Sequence, residues 1–249
     1  MRIRPGLRPL IGLGICCCLL QGADTTPPPT PQKVQVSNTE HSDFPPGGTL
    51  HLKNSVGELT IESWDQPGLE LTTIKSSKVA VAGKERDNAV KLLERVKIAT
   101  QRKGDEVTIS TEFPKYPKLV RPYKGFTDFD LDYVIKVPSS AHLTIEHTIG
   151  EVHIDGVLGG IHATDRMGLI TVRLPDGQFA INAVSKIGAV DSDFPGSENS
   201  KKWIGHTFVG NASSSGTAQK IFLRIGFGDI VVTRMHHPSP PAPGVPSGK

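Results

Sequence analysis

The sequence predicts an all-β protein of stacked, solenoid-like repeats, with one amphipathic helix in its N-terminal half; a β-sandwich is the alternative. Three observations carry this. Gly (26) and Pro (20) are plentiful while aromatics are only 6%, which suits a turn-rich β chain. Residues 149–184 fall into four nine-residue lines with glycine second in each: Gly150, Gly159, Gly168 and Gly177. The fourth and sixth positions of those lines are apolar throughout (Val152/Ile154, Ile161/Ala163, Ile170/Val172, Phe179/Ile181), the alternation of a strand with one buried face.

The start of the chain reads as an export signal. Arg2, Arg4 and Arg8 precede an apolar run from Leu10 to Leu20, too short to span a bilayer, and Gly22 and Ala23 supply small residues for cleavage. All three cysteines, Cys16, Cys17 and Cys18, lie inside this 1–23 segment. They open lipoprotein anchoring as a second possibility, but Ile15 stands where a small residue normally precedes a lipidated cysteine. The mature chain would hold no cysteine, which excludes disulfides, thiolate catalysis and Cys-based zinc sites. The chain has 28 Lys+Arg against 25 Asp+Glu, and the signal carries three of the arginines, so the mature protein is balanced. A balanced charge gives no overall pull toward nucleic acid or anionic lipid.

Residues 24–46, rich in Pro and Thr, read as a disordered linker, and 236–249 as a second Pro/Gly-rich tail. The folded part is then 47–235. It opens with strand periodicity at Leu50, Leu52, Leu59 and Ile61, followed by "LELTTIKSS". Ala89, Leu92, Leu93 and Val96 recur at three and four, which predicts a helix near 84–97. "DEVTISTEF" returns to strand, and Phe129, Leu131, Tyr133, Ile135 and Val137 form the clearest alternation in the chain. The glycine repeat then runs over 149–195, with Gly188 after a two-residue slip, and recurs at 226–234 around Gly228. "VGELTIESW", with Gly57, is an outlying copy. The seven glycines are expected to be structural turn residues, where φ > 0 or close backbone approach excludes a side chain. Two lines make a rung of about eighteen residues, with neighbouring rungs ~4.8 Å apart. Lines starting at 149, 167 and 187 then share one face, and those at 158 and 176 another. The second face carries Gly160, His162, Thr164, Gln178, Ala180 and Asn182, is almost uncharged, and is expected to be covered.

The tandem "G-x-V/I-x-V/I" pattern, placed after a helix and "LDYVIKVP" and preceded by "IESWDQP", resembles the bacterial putative-adhesin family, an uncharacterised exported domain of glycine-punctuated β-repeats. The resemblance covers most of 50–235. It implies a β-repeat fold and an extracytoplasmic location, and brings neither catalytic residues nor a ligand.

Candidate chemistry is thin. Asp128, Asp130 and Asp132 share one strand face, but a strand cannot curl its carboxylates round a cation, so a solvated face is expected. His147, His153 and His162 are expected to be exposed and without partners; His236 and His237 border the tail. The Asp positions wander too far for a calcium-binding nonapeptide, and "GSENS" is not a nucleophile elbow. Asn211 fits a glycosylation pattern that a bacterial resemblance discounts. Trp64 and Trp203 read as anchors at the core margin. Outward Glu151, Asp155, Asp191 and Asp193 keep a polysaccharide-active enzyme open. No catalytic, cofactor-binding or metal residue is assigned, and no cofactor is expected. The expected function is an exported, non-enzymatic surface or envelope interaction module. Its partner would be another envelope protein or a surface polymer, with no nucleic acid and no transmembrane span. The alternatives are a secreted polysaccharide-active enzyme on a β-solenoid, or an envelope-stress accessory protein.

Overall fold

The computed structural model describes residues 30–113, 129–200, 205–210 and 218–235. The signal segment with Cys16, Cys17 and Cys18 lies outside these residues, as do Asp128, Trp203, Asn211 and the 236–249 tail. In chain order the strands are β1 (Gln35–Ser42), β2 (Thr49–Trp64), β3 (Leu69–Ser77), β4 (Lys97–Lys103), β5 (Glu106–Glu112), β6 (Phe129–Pro138), β7 (His142–Asp155), β8 (Ile161–Leu174), β9 (Phe179–Ile187), β10 (Val190–Ser192), β11 (Gly196–Ser200), β12 (His206–Gly210) and β13 (Gln219–Arg234). One helix, α1 (Gly83–Arg95), stands between β3 and β4. The chain is all-β, as the alternation of its apolar residues requires.

The strands form one mixed, open sheet in the order β1-β3-β6-β2-β7-β8-β13-β9-β12-β11; β10 pairs β13, and β4 reaches β2 through β5. Its centre is parallel. Leu143 of β7 stands beside Ile161 of β8, and Gly150 beside Gly168, an offset of eighteen residues at every position. "VGELTIESW" belongs to this centre: Gly57 of β2 pairs with Gly150. The last strand, β13, does not add at the end of the stack. It enters between β8 and β9, pairing Gly228 with Gly168 on one side and Ile221 with Ile181 on the other.

Each long central strand changes parity half-way. In β7 the buried residues are Leu143, Ile145 and His147, then Val152 and Ile154. In β8 they are Ile161, Ala163 and Asp165, then Ile170, Val172 and Leu174. Side chains alternate with period two, so an odd number of residues between buried positions would keep one face inward throughout. The switch at Gly150 and Gly168 lets both halves of a strand bury apolar residues in one continuous core, so the sheet must turn about that core there.

The outer strands are antiparallel: β6 pairs β3, and β3 pairs β1. β1 falls within the stretch read as a disordered linker, which is a correction. Its side chains are exposed apart from a half-buried Ser42, and all but Val36 are polar, so no apolar alternation marks it. The flanking Val34 and Phe44 are buried, and Thr39 Oγ1 lies 2.9 Å from Thr72 Oγ1 across the pair. The helix buries Leu93, with Val96 buried just past its end. Glu85 in its first turn and Arg95 in its last oppose the helix dipole favourably. Lys75 Nζ of β3 donates to the Val96 carbonyl at 2.6 Å, tying the helix end to the sheet.

Candidate functional site

The turn in the sheet brings together three parallel rows of residues. The middle row is glycine. Gly57, Gly150, Gly168, Gly228 and Gly188 have φ of 87°, 136°, 151°, 129° and 142°. A methyl group on Gly168 would overlap the carbonyl oxygen of Gly150, and one on Gly228 would overlap that of Gly168. Both conformation and space exclude a side chain here. Gly159 and Gly177 stand apart from this row: neither has positive φ, and a Cβ on them would meet the Ala141 carbonyl and the Phe179 ring respectively.

The inner row is polar. Ser55, His147, Asp165 and Ser185 are all buried, with Ile225 between the last two. Ser55 Oγ lies 2.8 Å from His147 Nδ1, and Asp165 Oδ1 accepts the Met167 N–H at 3.2 Å. Nε2 of His147 and Oδ2 of Asp165 are buried with no hydrogen-bond partner among the described residues. Burial pushes His147 down to about 4 and Asp165 up to about 6. Serine, histidine and aspartate thus sit on three adjacent strands. No hydrogen bond joins His147 to Asp165 among the described residues, and Ser55 is fully buried, so this serine is not placed as a nucleophile facing a substrate.

The outer row is apolar. Ile149, Met167, Phe227 and Ile187 each precede a glycine of the middle row and stand in register on four adjacent strands. They are 39%, 47%, 50% and 47% exposed, half of the large exposed hydrophobic side chains of the described residues. Four such side chains scattered singly would be ordinary; aligned, they form a continuous apolar edge. Beside it lies a cavity of about 540 Å³ whose lining includes Thr164, Arg166, Val184, Lys186, Arg224 and Gly226.

The remaining candidates are dispersed. His147 is buried rather than exposed, which corrects the expectation; it is the last inward position before the turn, and Ser55 partners its Nδ1. His153 Nε2 lies 3.2 Å from Glu151, so it also has a partner. His162 is exposed, its ring edge-on to Phe222 at 4.8 Å between centroids. Asp155 is paired with Arg173. Asp191 and Asp193 lie on and just after β10, and line neither this cavity nor the one beside Trp64. Asp130 pairs loosely with Lys78 at 3.8 Å, and burial, with Glu58 and Asp130 nearby, raises Asp132. Trp64 is half-buried; its Nε1 donates to the Gly68 carbonyl at 3.2 Å, and it lines a cavity of about 580 Å³ with Phe44, Gln66 and Arg102. No group of three His, Cys, Asp or Glu among the described residues could hold a metal ion. The face of Gly160, His162, Thr164, Gln178, Ala180 and Asn182 is half-buried to exposed, and α1 packs on β3 instead of covering it.

No family model matches the chain, and no curated protein matches it in sequence. In structure it is similar to a putative cell adhesion protein from Clostridium sporogenes, at 14% identity over 80% of this chain and 100% of that one, TM-score 0.44. It is similar also to a putative adhesin from Bacteroides fragilis, at 12% identity over 82% and 99%, TM-score 0.31. A putative adhesin from Parabacteroides distasonis shares 12% identity over 81% and 97%, TM-score 0.22. Likeness at this level leaves the function to be argued from the chain itself. No helix of the described residues is long and apolar enough to cross a membrane.

The apolar edge and its cations escaped the sequence reading. The signal was present: the residue before each middle-row glycine is Val56, Ile149, Met167, Phe227 or Ile187, apolar every time. It is masked by the nine-residue cut, which gives these positions the same standing as Leu158 and Asp176.

Proposed function

We propose that this chain is an exported, non-enzymatic β-repeat module that acts by contact with another component of the cell envelope. The observation that carries it is the exposed apolar row of Ile149, Met167, Phe227 and Ile187, held in register by the glycine row beneath it. Contiguous apolar surface on a soluble chain marks an interaction site, and an open sheet stacked at ~4.8 Å gives that surface a fixed spacing. The export signal at 1–23 and the balanced mature charge support the same reading. Sedimentation of the purified protein with washed bacterial envelopes tests it. Wild type should pellet with them, and Met167→Ser/Phe227→Ser should lose at least tenfold in affinity with an unchanged Tm. Equal binding by the double variant would overturn the assignment of this surface.

A further inference from the structure

The apolar row has a charged flank. Arg166, Gly226 and Lys186 immediately precede Met167, Phe227 and Ile187, and so stand side by side on β8, β13 and β9. Glycine in the middle leaves a hollow between two cations; a methyl group on Gly226 would press on the Arg166 carbonyl oxygen. Arg224, two residues earlier on β13, forms the third side of the same cavity of about 540 Å³. None of the three cations makes an ion pair among the described residues. Arg224 lies over the Phe222 ring, 4.2 Å from its centroid, which holds its guanidinium in place. Asp165 also lines the cavity, but one of its oxygens accepts the Met167 N–H and the other is buried beneath Gly168.

We infer that this corner docks on a membrane surface, with Arg166, Lys186 and Arg224 taking the phosphate headgroup of an anionic lipid while Met167, Phe227 and Ile187 enter the acyl boundary. The inference rests on the contact reading above and names the envelope component. Three features favour a bilayer over a protein partner. The apolar row stands on the outer side of the turn in the sheet, a raised edge with the core behind it, whereas a protein partner would need a matching groove. Met167, Phe227 and Ile187 each have a cation one to three positions away, Arg166, Arg224 and Lys186, and long basic side chains keep their charged heads at a polar surface while their stems lie along apolar groups. Charge is also divided across the row. Glu151 and Asp229 are exposed beyond the glycines, so the molecule must tilt to bring its cationic flank to an anionic surface.

The test is co-sedimentation of the purified full chain with phosphatidylcholine vesicles, with and without phosphatidylglycerol. Binding should be at least tenfold tighter with phosphatidylglycerol and should weaken as salt is raised. Each of Arg166→Ala, Lys186→Ala and Arg224→Ala should lower affinity for the anionic vesicles about fivefold. Phe227→Ser should lower it at least as much without changing Tm. Failure to bind either vesicle, or equal binding to both, would overturn the inference. If envelope binding still depends on Phe227, the contact reading stands and the partner is not lipid. Full competition by inorganic phosphate would reduce the site to a simple anion hollow and overturn the membrane assignment. A dimer in light scattering that Phe227→Ser dissociates, with no vesicle binding, would give the surface to a second copy of the chain and overturn it likewise.

Discussion

At the scale of single residues, the turn in the sheet is where sequence choice is narrowest. Gly168 combines a φ of 151° with a neighbour carbonyl where a Cβ would go. Gly168→Val should therefore destabilise by several times the ~0.5–1 kcal/mol of an ordinary glycine replacement, seen as a large fall in Tm. Leu169→Thr, next to it but half-buried, should cost far less. The inner row makes a second prediction, on pH. His147 is held near 4, below its ordinary 6.5, so the unfolded chain takes up this proton first and stability is lost as pH falls from 6.5 toward 4. Asp165 is held near 6, above its ordinary 3.8, so the folded chain takes up this proton first. Its contribution is complete below 3.8 and is lost as pH rises through 6. The two slopes oppose each other, and wild type should vary little across their shared window. Asp165→Asn should leave stability that rises with pH there, and His147→Gln stability that falls. Denaturant unfolding of the three proteins across the window decides it; a flat Asp165→Asn profile would remove His147 from the account.

At the scale of elements, the strands were legible wherever one face is buried and the other solvated. Tyr133 in β6 and Ile170 in β8 sit on alternations that no helix could produce, and α1 declared itself by Leu93 and its neighbours. Leu93→Ala should cost about 2–5 kcal/mol by denaturant titration, while Lys91→Ala, exposed on the same helix, should stay within ~0.5 kcal/mol. What stayed hidden has a physical reason in each case. β1 is an outer strand, polar but for Val36, that the sheet holds by backbone bonds and by Val34 and Phe44 at its ends, so composition alone suggests a tether. The parity switch hid the burial of His147, because strict alternation from Val152 backwards would turn it outward. The place of β13 was also hidden. Its Gly228 repeats the local pattern, but pairing between β8 and β9 is a property of the finished sheet. Without that strand β8 and β9 lose their shared neighbour and the core loses Ile221, Leu223, Ile230 and Val232. A chain ending at residue 218 should show no cooperative unfolding transition in circular dichroism.

At the scale of the whole molecule, the sheet is open, with β1 at one end of its main path and β11 at the other. Unpaired strand edges invite pairing with other chains. β1 meets that hazard with Asn38, Glu40 and His41, all exposed, and β11 with its short polar "GSENS". Glu40→Val/His41→Val should therefore aggregate during concentration, by light scattering, with little change in Tm; a clear monomer would show that the charges on this strand are not protective. The position of β13 has a last consequence, in time rather than space. A ribosome delivers β8 before β13 by about 45 residues, some seconds at ~5–20 residues per second. Through that interval the parallel stack has an empty slot in its middle that no earlier segment fills. The sheet therefore cannot reach its final pairing until nearly all the described residues have been made.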